Sequence, residues 1–183
     1  MSFIEWPELA TVTKEQRFEL VVKDAKGRNP PLSDEELQKT VFEKNPHLNF
    51  ISISGSGLSH LSSSIVACVQ LTKLVIIRND LVSVPEEIGT LTKLTFVDLS
   101  NNHLESLPAS FAKLSKMETF VASGNKLSNE GLFDFSSMHS LLVVDLSYNE
   151  LTSVPKSLTG GQLVRLHTLN FAHNKIKEIF NKC

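Results

Sequence analysis

Cysteine is nearly absent from this chain of 183 residues: Cys68 and Cys183 are the only two. Two cysteines so far apart cannot build the dense disulfide framework of a small secreted domain, and a reducing compartment fits them better. A charge excess is also missing. Eighteen Lys and Arg against twenty Asp and Glu leave a net charge of -2, which excludes a protein held to nucleic acid mainly by phosphate contacts. Trp and Tyr are scarce, with one of each, and dedicated RNA recognition calls on aromatic stacking platforms. No stretch approaches the roughly 18 apolar residues of a membrane span. The start, Met1-Ser2-Phe3-Ile4-Glu5-Trp6-Pro7-Glu8, has no basic n-region and no apolar h-region. No Asn is followed by Ser or Thr at the second position, so no glycosylation acceptor is offered. The cytosol is the expected compartment. What the chain does have is 41% hydrophobic and 21% charged residues, enough to bury the core of one ordinary domain or a short repeat array.

A fixed period governs most of that hydrophobic content. The pattern L-x-x-L-x-L-x-x-N-x-L-x-x-L-P is filled by Leu71, Leu74, Ile76, Asn79, Leu81, Val84 and Pro85. Leu94, Val97, Leu99, Asn102, Leu104, Leu107 and Pro108 fill it again. Met117, Phe120, Ala122, Asn125 and Leu127 follow without the proline, and Leu141, Val144, Leu146, Asn149, Leu151, Val154 and Pro155 restore it. Leu166, Leu169, Phe171, Asn174, Ile176 and Ile179 close the series. A weaker unit, Leu48, Ile51, Ile53, Leu58 and Leu61, precedes them with Ser56 in the asparagine slot. The six units resemble the short, proline-containing leucine-rich repeats typical of intracellular proteins, over about three-quarters of the chain.

Physical reasoning leads to the same architecture. L-x-L is a strand with alternate side chains inward, and stacked units form a parallel sheet on the concave side of an α/β horseshoe. The inward asparagine carries two amide donors and a carbonyl acceptor, so it can satisfy turn backbone of its own and the adjoining unit. Ile88 with Leu91, Phe111 with Leu114, and Leu158 with Leu163 are expected to close the core from the convex side.

Residues 1–46 are of another kind and are expected to form a helical cap on the array of 47–183, since terminal repeats need a cover with one polar face. Thr13 is placed to N-cap a helix through Lys14–Val22 that ends near Gly27, and Asn29-Pro30-Pro31 forces a turn. Ser33-Asp34-Glu35-Glu36 reads as a capping box that opens a helix through Phe42, closed by Asn45-Pro46. The cap also carries a second resemblance. Trp6-Pro7-Glu8-Leu9, Glu15-x-Arg17-x-Glu19-Leu20 and Ser54-Gly55-Ser56-Gly57-Leu58 are similar to the start of a leucine-rich repeat family with a downstream region. That region resembles the B3/B4 domain of the phenylalanyl-tRNA synthetase beta subunit, and RNA association is attributed to it. The resemblance implies a translation-linked setting in which RNA is reached only through that downstream region. It carries over no synthetase activity and no catalytic residue. An end at Cys183, inside the sixth unit, is what a segment of a longer protein would show.

Catalytic constellations are not apparent. Cys68, between Val66 and Val69, reads as a small core residue, since reactive cysteines need exposed electropositive surroundings. His47, His60, His103, His139, His167 and His173 are scattered without metal-ligand spacing. Gly55-Ser56-Gly57 is too short for a phosphate loop and reads as a turn. Asp98 and Asp145 share an outward column two units apart, about 10 Å from each other at the usual strand spacing. That is wider than the roughly 5–5.5 Å of a retaining carboxylate pair and at the edge of the inverting range, on an open sheet without a closed pocket. Neither enzyme chemistry nor a cofactor or metal is expected.

The register also lists the concave face. One column runs Phe50, Lys73, Phe96, Thr119, Val143, Thr168; the next runs Ser52, Val75, Asp98, Val121, Asp145, Asn170; the third runs Ser54, Ile77, Ser100, Ser123, Ser147, Ala172. Val75, Ile77, Phe96, Val121 and Val143 make an apolar patch, with Lys73, Arg78, Asp98, Asp145 and Tyr148 as its polar rim. An exposed apolar patch rimmed by charge marks a protein-partner site. The competing account is that β-branched residues here serve strand packing alone, or that the N-terminal helices cover part of the face.

Overall fold

A computed structural model describes residues 6–27 and 32–177. Seven parallel strands lie side by side in chain order: β1 (Glu19–Lys23), β2 (Phe50–Ser54), β3 (Lys73–Ile77), β4 (Phe96–Asp98), β5 (Thr119–Val121), β6 (Val143–Asp145) and β7 (Thr168–Asn170). The pairing Phe50↔Lys73↔Phe96↔Thr119↔Val143↔Thr168 reproduces the expected first column, and Ser52↔Val75↔Asp98↔Val121↔Asp145↔Asn170 the second. Alternation then dictates the core. Ile51, Ile53, Leu74, Ile76, Val97, Leu99, Phe120, Ala122, Val144 and Leu146 are buried in one continuous cluster. Short turns of 3-10 helix at Ser63–Ala67, Glu86–Thr90 and Ala109–Lys113, and the helix Lys156–Thr159, back the sheet on the convex side. The convex residues Ile88, Leu91, Phe111, Leu114, Leu158 and Leu163 are buried as the period requires.

The asparagine ladder holds these turns. Asn79 donates to the carbonyls of Ile53 (2.9 Å) and Ile77 (3.0 Å) and accepts from the N–H of Ser56 (3.0 Å). Asn102, Asn125, Asn149 and Asn174 repeat the arrangement one unit further each time. In the unit without a proline, aromatic packing fills the space: Phe133 stacks on Phe111 at 5.3 Å and lies 4.2 Å from Phe135, while Phe120 meets Phe111 edge-on.

The cap departs from expectation in one respect. The helix expected over 14–22 with Thr13 as its N-cap is not there: α1 spans Pro7–Glu15 with Thr13 inside it and Trp6 at its N-cap, and residues 19–23 are strand β1. Pro7 pre-sets the first helical turn, and Gln16, at φ 50 in the left-handed region, ends it. Beyond that point Leu20 and Val22 alternate with Glu19, Val21 and Lys23. The open edge of β2 offers backbone partners, and tertiary pairing overrides local helix propensity. The cap is therefore helix, strand, helix, with its strand inside the common sheet. The second helix, α2 (Asp34–Thr40), starts where the Ser33 signal put it, and Phe42–Lys44 follows as a 3-10 turn before Asn45. The Asn29-Pro30-Pro31 turn, the Glu36 side chain and Ile179 lie outside the described residues. No helix among the described residues is long and apolar enough to cross a membrane.

Candidate functional site

All ten side chains expected at the concave face lie on β3–β6 or in the turns directly after them. Val75, Ile77, Phe96, Val121 and Val143 are each half-buried, and Lys73, Arg78 and Tyr148 are exposed. The apolar members therefore keep free surface after the strands have packed. The cap touches this face at its first strand: a groove of about 450 Å³ between α1 and β1 is lined by Pro7, Thr11, Arg17, Glu19 and Val21.

Asp98 and Asp145 are more than a polar rim. Asp145 Oδ1 accepts from Ser147 N (2.9 Å) and Ser147 Oγ (2.6 Å), and its Oδ2 accepts from Asn170 Nδ2 (3.0 Å). Asp98 Oδ1 likewise accepts from the N–H (2.9 Å) and hydroxyl of Ser100. Each carboxylate thus closes its own turn and is held in one orientation. No lysine or arginine among the described residues pairs with either one.

A fourth column borders the face. Asp24, Gly55, Arg78, Asn101, Gly124, Tyr148 and His173 all have positive φ, and all directly follow the third column, which Lys23 extends to β1 by pairing with Ser54. Glycine takes this conformation freely, whereas a residue with a Cβ such as Tyr148 (φ 54) bears about 1 kcal/mol. Tyr148 and His173 stack with ring centroids 4.1 Å apart, and Tyr148 remains 58% exposed. At the other end, Arg78 reaches Asp24 (3.7 Å) across Gly55, and Lys26 reaches Asp80 (3.5 Å) across Gly57. A Cβ on Gly55 would stand 2.7 Å from the Asp24 carboxylate. The two glycines leave room for ion pairs that tie the cap to β3.

His173 as the stacking partner of Tyr148 was not anticipated, and its signal was present: both residues directly precede a ladder asparagine. Cys68 is buried, and burial pushes its thiol up to about 12, far from reactivity at neutral pH. No cluster of His, Cys, Asp or Glu able to hold a metal occurs among the described residues. A groove of about 670 Å³ at Asn129, Leu132, Phe133, Ser153 and Lys156 lies off the concave sheet.

The parallel open sheet, the asparagine ladder and the convex turns define a leucine-rich repeat solenoid. The leucine rich repeat family model matches residues 69–127. Over 145 residues the chain is 28% identical to the volume-regulated anion channel subunit LRRC8A of Rattus norvegicus, covering 79% of this chain and 15% of that protein. Among solved structures, an internalin (inlF) from Listeria monocytogenes shares the fold with a TM-score of 0.67 at 19% identity, over 97% of this chain and 46% of its own. TLR13 in its complex with ssRNA13 matches with a TM-score of 0.64 at 26% identity, over 75% of this chain and 20% of its own. The chain thus spans less than half the length of each of these proteins.

Proposed function

We propose that this chain is a non-enzymatic protein-interaction module of the cytosol that binds a protein partner on its concave sheet. The observation that carries the reading is the half-exposed patch of Phe96, Val121 and Val143 beside exposed Tyr148. Leucine-rich repeat folds are interaction scaffolds whose variable strand positions choose the ligand. An aromatic anchor beside aliphatic side chains, edged by fixed polar groups, has the composition of an interface centre. RNA, the ligand of the TLR13 complex, is less well served here. The columns of β4–β7 carry two carboxylates and no lysine or arginine, and carboxylates repel a phosphate backbone.

The test is capture from a cytosolic extract by the native chain and by the double variant Phe96→Glu, Val121→Glu. Both side chains point away from the core, so the variant should melt as the parent does and lose the captured protein. Unchanged capture by a folded double variant would remove the concave face from consideration.

A second reading rests on the N-terminal segments Trp6-Pro7-Glu8-Leu9 and Ser54-Gly55-Ser56-Gly57-Leu58, which resemble leucine-rich repeat-containing protein 47. On that reading the repeats position a downstream phenylalanyl-tRNA synthetase beta-like region that reaches RNA. The intact mass of the protein isolated from its source decides: a mass far above 20.3 kDa with RNA in the captured material favours the second reading, and a mass near it with protein alone favours the first.

A further inference from the structure

Charge is unevenly spread along the concave face, and we infer that its β4–β6 half takes a protein segment carrying basic side chains among apolar ones. The inference rests on the concave-face reading and specifies the partner's chemistry. Cationic positions of the face, Lys23, Lys73 and Arg78, belong to β1 and β3 or their turns, and Arg78 is already opposed by Asp24. On β4–β6 the charged members are Asp98 and Asp145, one on each side of Val121. Phe96 and Val143 adjoin them in the neighbouring column, the row runs on to Asn170, and Tyr148 follows β6 in the bordering column.

The turns do not need these two charges. In β7 the same slot holds Asn170, whose neutral Oδ1 accepts from Ala172 N at 3.1 Å and closes the same turn. Asparagine would do that work on β4 and β6 as well. Instead, two half-buried carboxylates stand among apolar side chains with no lysine or arginine of this chain, among the described residues, to neutralise them. A docking apolar surface would bury them further, which is costly unless the partner brings the opposite charge. An acidic or uncharged partner is therefore disfavoured, and a basic one is drawn in.

Spacing narrows the segment. Two strands separate the carboxylates, about 10 Å, and an extended chain laid across the strands covers that in about three residues at roughly 3.1–3.3 Å each. Two Arg or Lys about three positions apart, with an apolar side chain for Val121 between them, fit the row. The exposed ring of Tyr148 can take a guanidinium or an aliphatic stem.

The experiment pans a random dodecapeptide phage library against the full chain and remeasures each selected synthetic peptide on variants. Selected sequences should be rich in Arg or Lys set among apolar residues. The double variant Asp98→Asn, Asp145→Asn keeps both turn acceptors, gives up the part-buried contact of Asp145 Oδ2 with Asn170 Nδ2, and should stay folded in a thermal melt while binding these peptides about tenfold more weakly. The single variant Asp98→Asn, which disturbs no such contact, should weaken binding in the same direction. Sequence-scrambled peptides of equal charge should bind less well than the selected ones. Selection of acidic or uncharged peptides that Phe96→Glu abolishes would overturn this inference and leave the concave-face reading standing. Basic peptides indifferent to the Asn variant would also overturn it, and peptides indifferent to Phe96→Glu would remove both.

Discussion

The two ends of the sheet treat the same register slot differently. In β1, Leu20 and Val22 are fully buried and share one cluster with Trp6, Leu9 and Val12 of the cap. In β7, Leu169 occupies the slot of Leu20 and is 40% exposed, and Phe171 and Ile176 are only partly buried. All are apolar residues on the inward side of the strand. What separates them among the described residues is a covering element: α1 packs against β1. A solenoid unit cannot bury its own face, so burial is a property of the stack and not of the residue. The cap is as much a part of the core as any repeat.

That comparison can be broken most sharply at β1. Leu20→Ala is expected to cost about 2–5 kcal/mol in a urea titration, the same as Leu74→Ala in the middle of the array. A cost near that of an edge residue would show that α1 does not seal the first strand. Asn79→Ala should come next, at about 2–3 kcal/mol, because it strands buried backbone groups in two turns. Asn174→Ala makes the same deletion at a half-buried site, where water substitutes, and should cost clearly less. Leu169→Ala is predicted to cost about 1 kcal/mol or less, since much of its side chain already meets solvent. The smallest effect belongs to the cap ion pairs. Asp80→Asn removes the contacts to Lys26 (3.5 Å) and His103 (3.6 Å) but should shift stability by less than about 0.5 kcal/mol, vanishing in high salt.

The sequence period made six of the seven strands legible, together with every strand partner from β2 to β7 and the asparagine ladder. Its strength is that a one-residue slip would put leucines on the solvent side, so only one register survives. The seventh strand was hidden for physical reasons. Between β1 and β2 the chain inserts α2, which breaks the spacing, and Ala25 stands where later units carry asparagine. Lys14-Glu15-Gln16-Arg17 then lent the region a helical look that pairing with β2 overrode. The concave side chains were readable because alternation fixes them. The fixed orientation of the two carboxylates was carried by Asp98-Leu99-Ser100 and Asp145-Leu146-Ser147, a short-range turn signal masked by the longer repeat. The bridging of Gly55 and Gly57 by Arg78 and Lys26 needed the fold, because it joins residues two layers apart.

The central claim is that the concave strands, and no other side of the solenoid, present the binding surface. Site-specific photo-crosslinking tests it most directly, with a benzoylphenylalanine placed at Val121 on the concave face and, separately, at exposed Val69, which follows the convex turn Ser63–Ala67 and lies off the concave columns. The account predicts a crosslinked protein partner from position 121 and none from position 69. A partner trapped from position 69 while position 121 stays silent would contradict it.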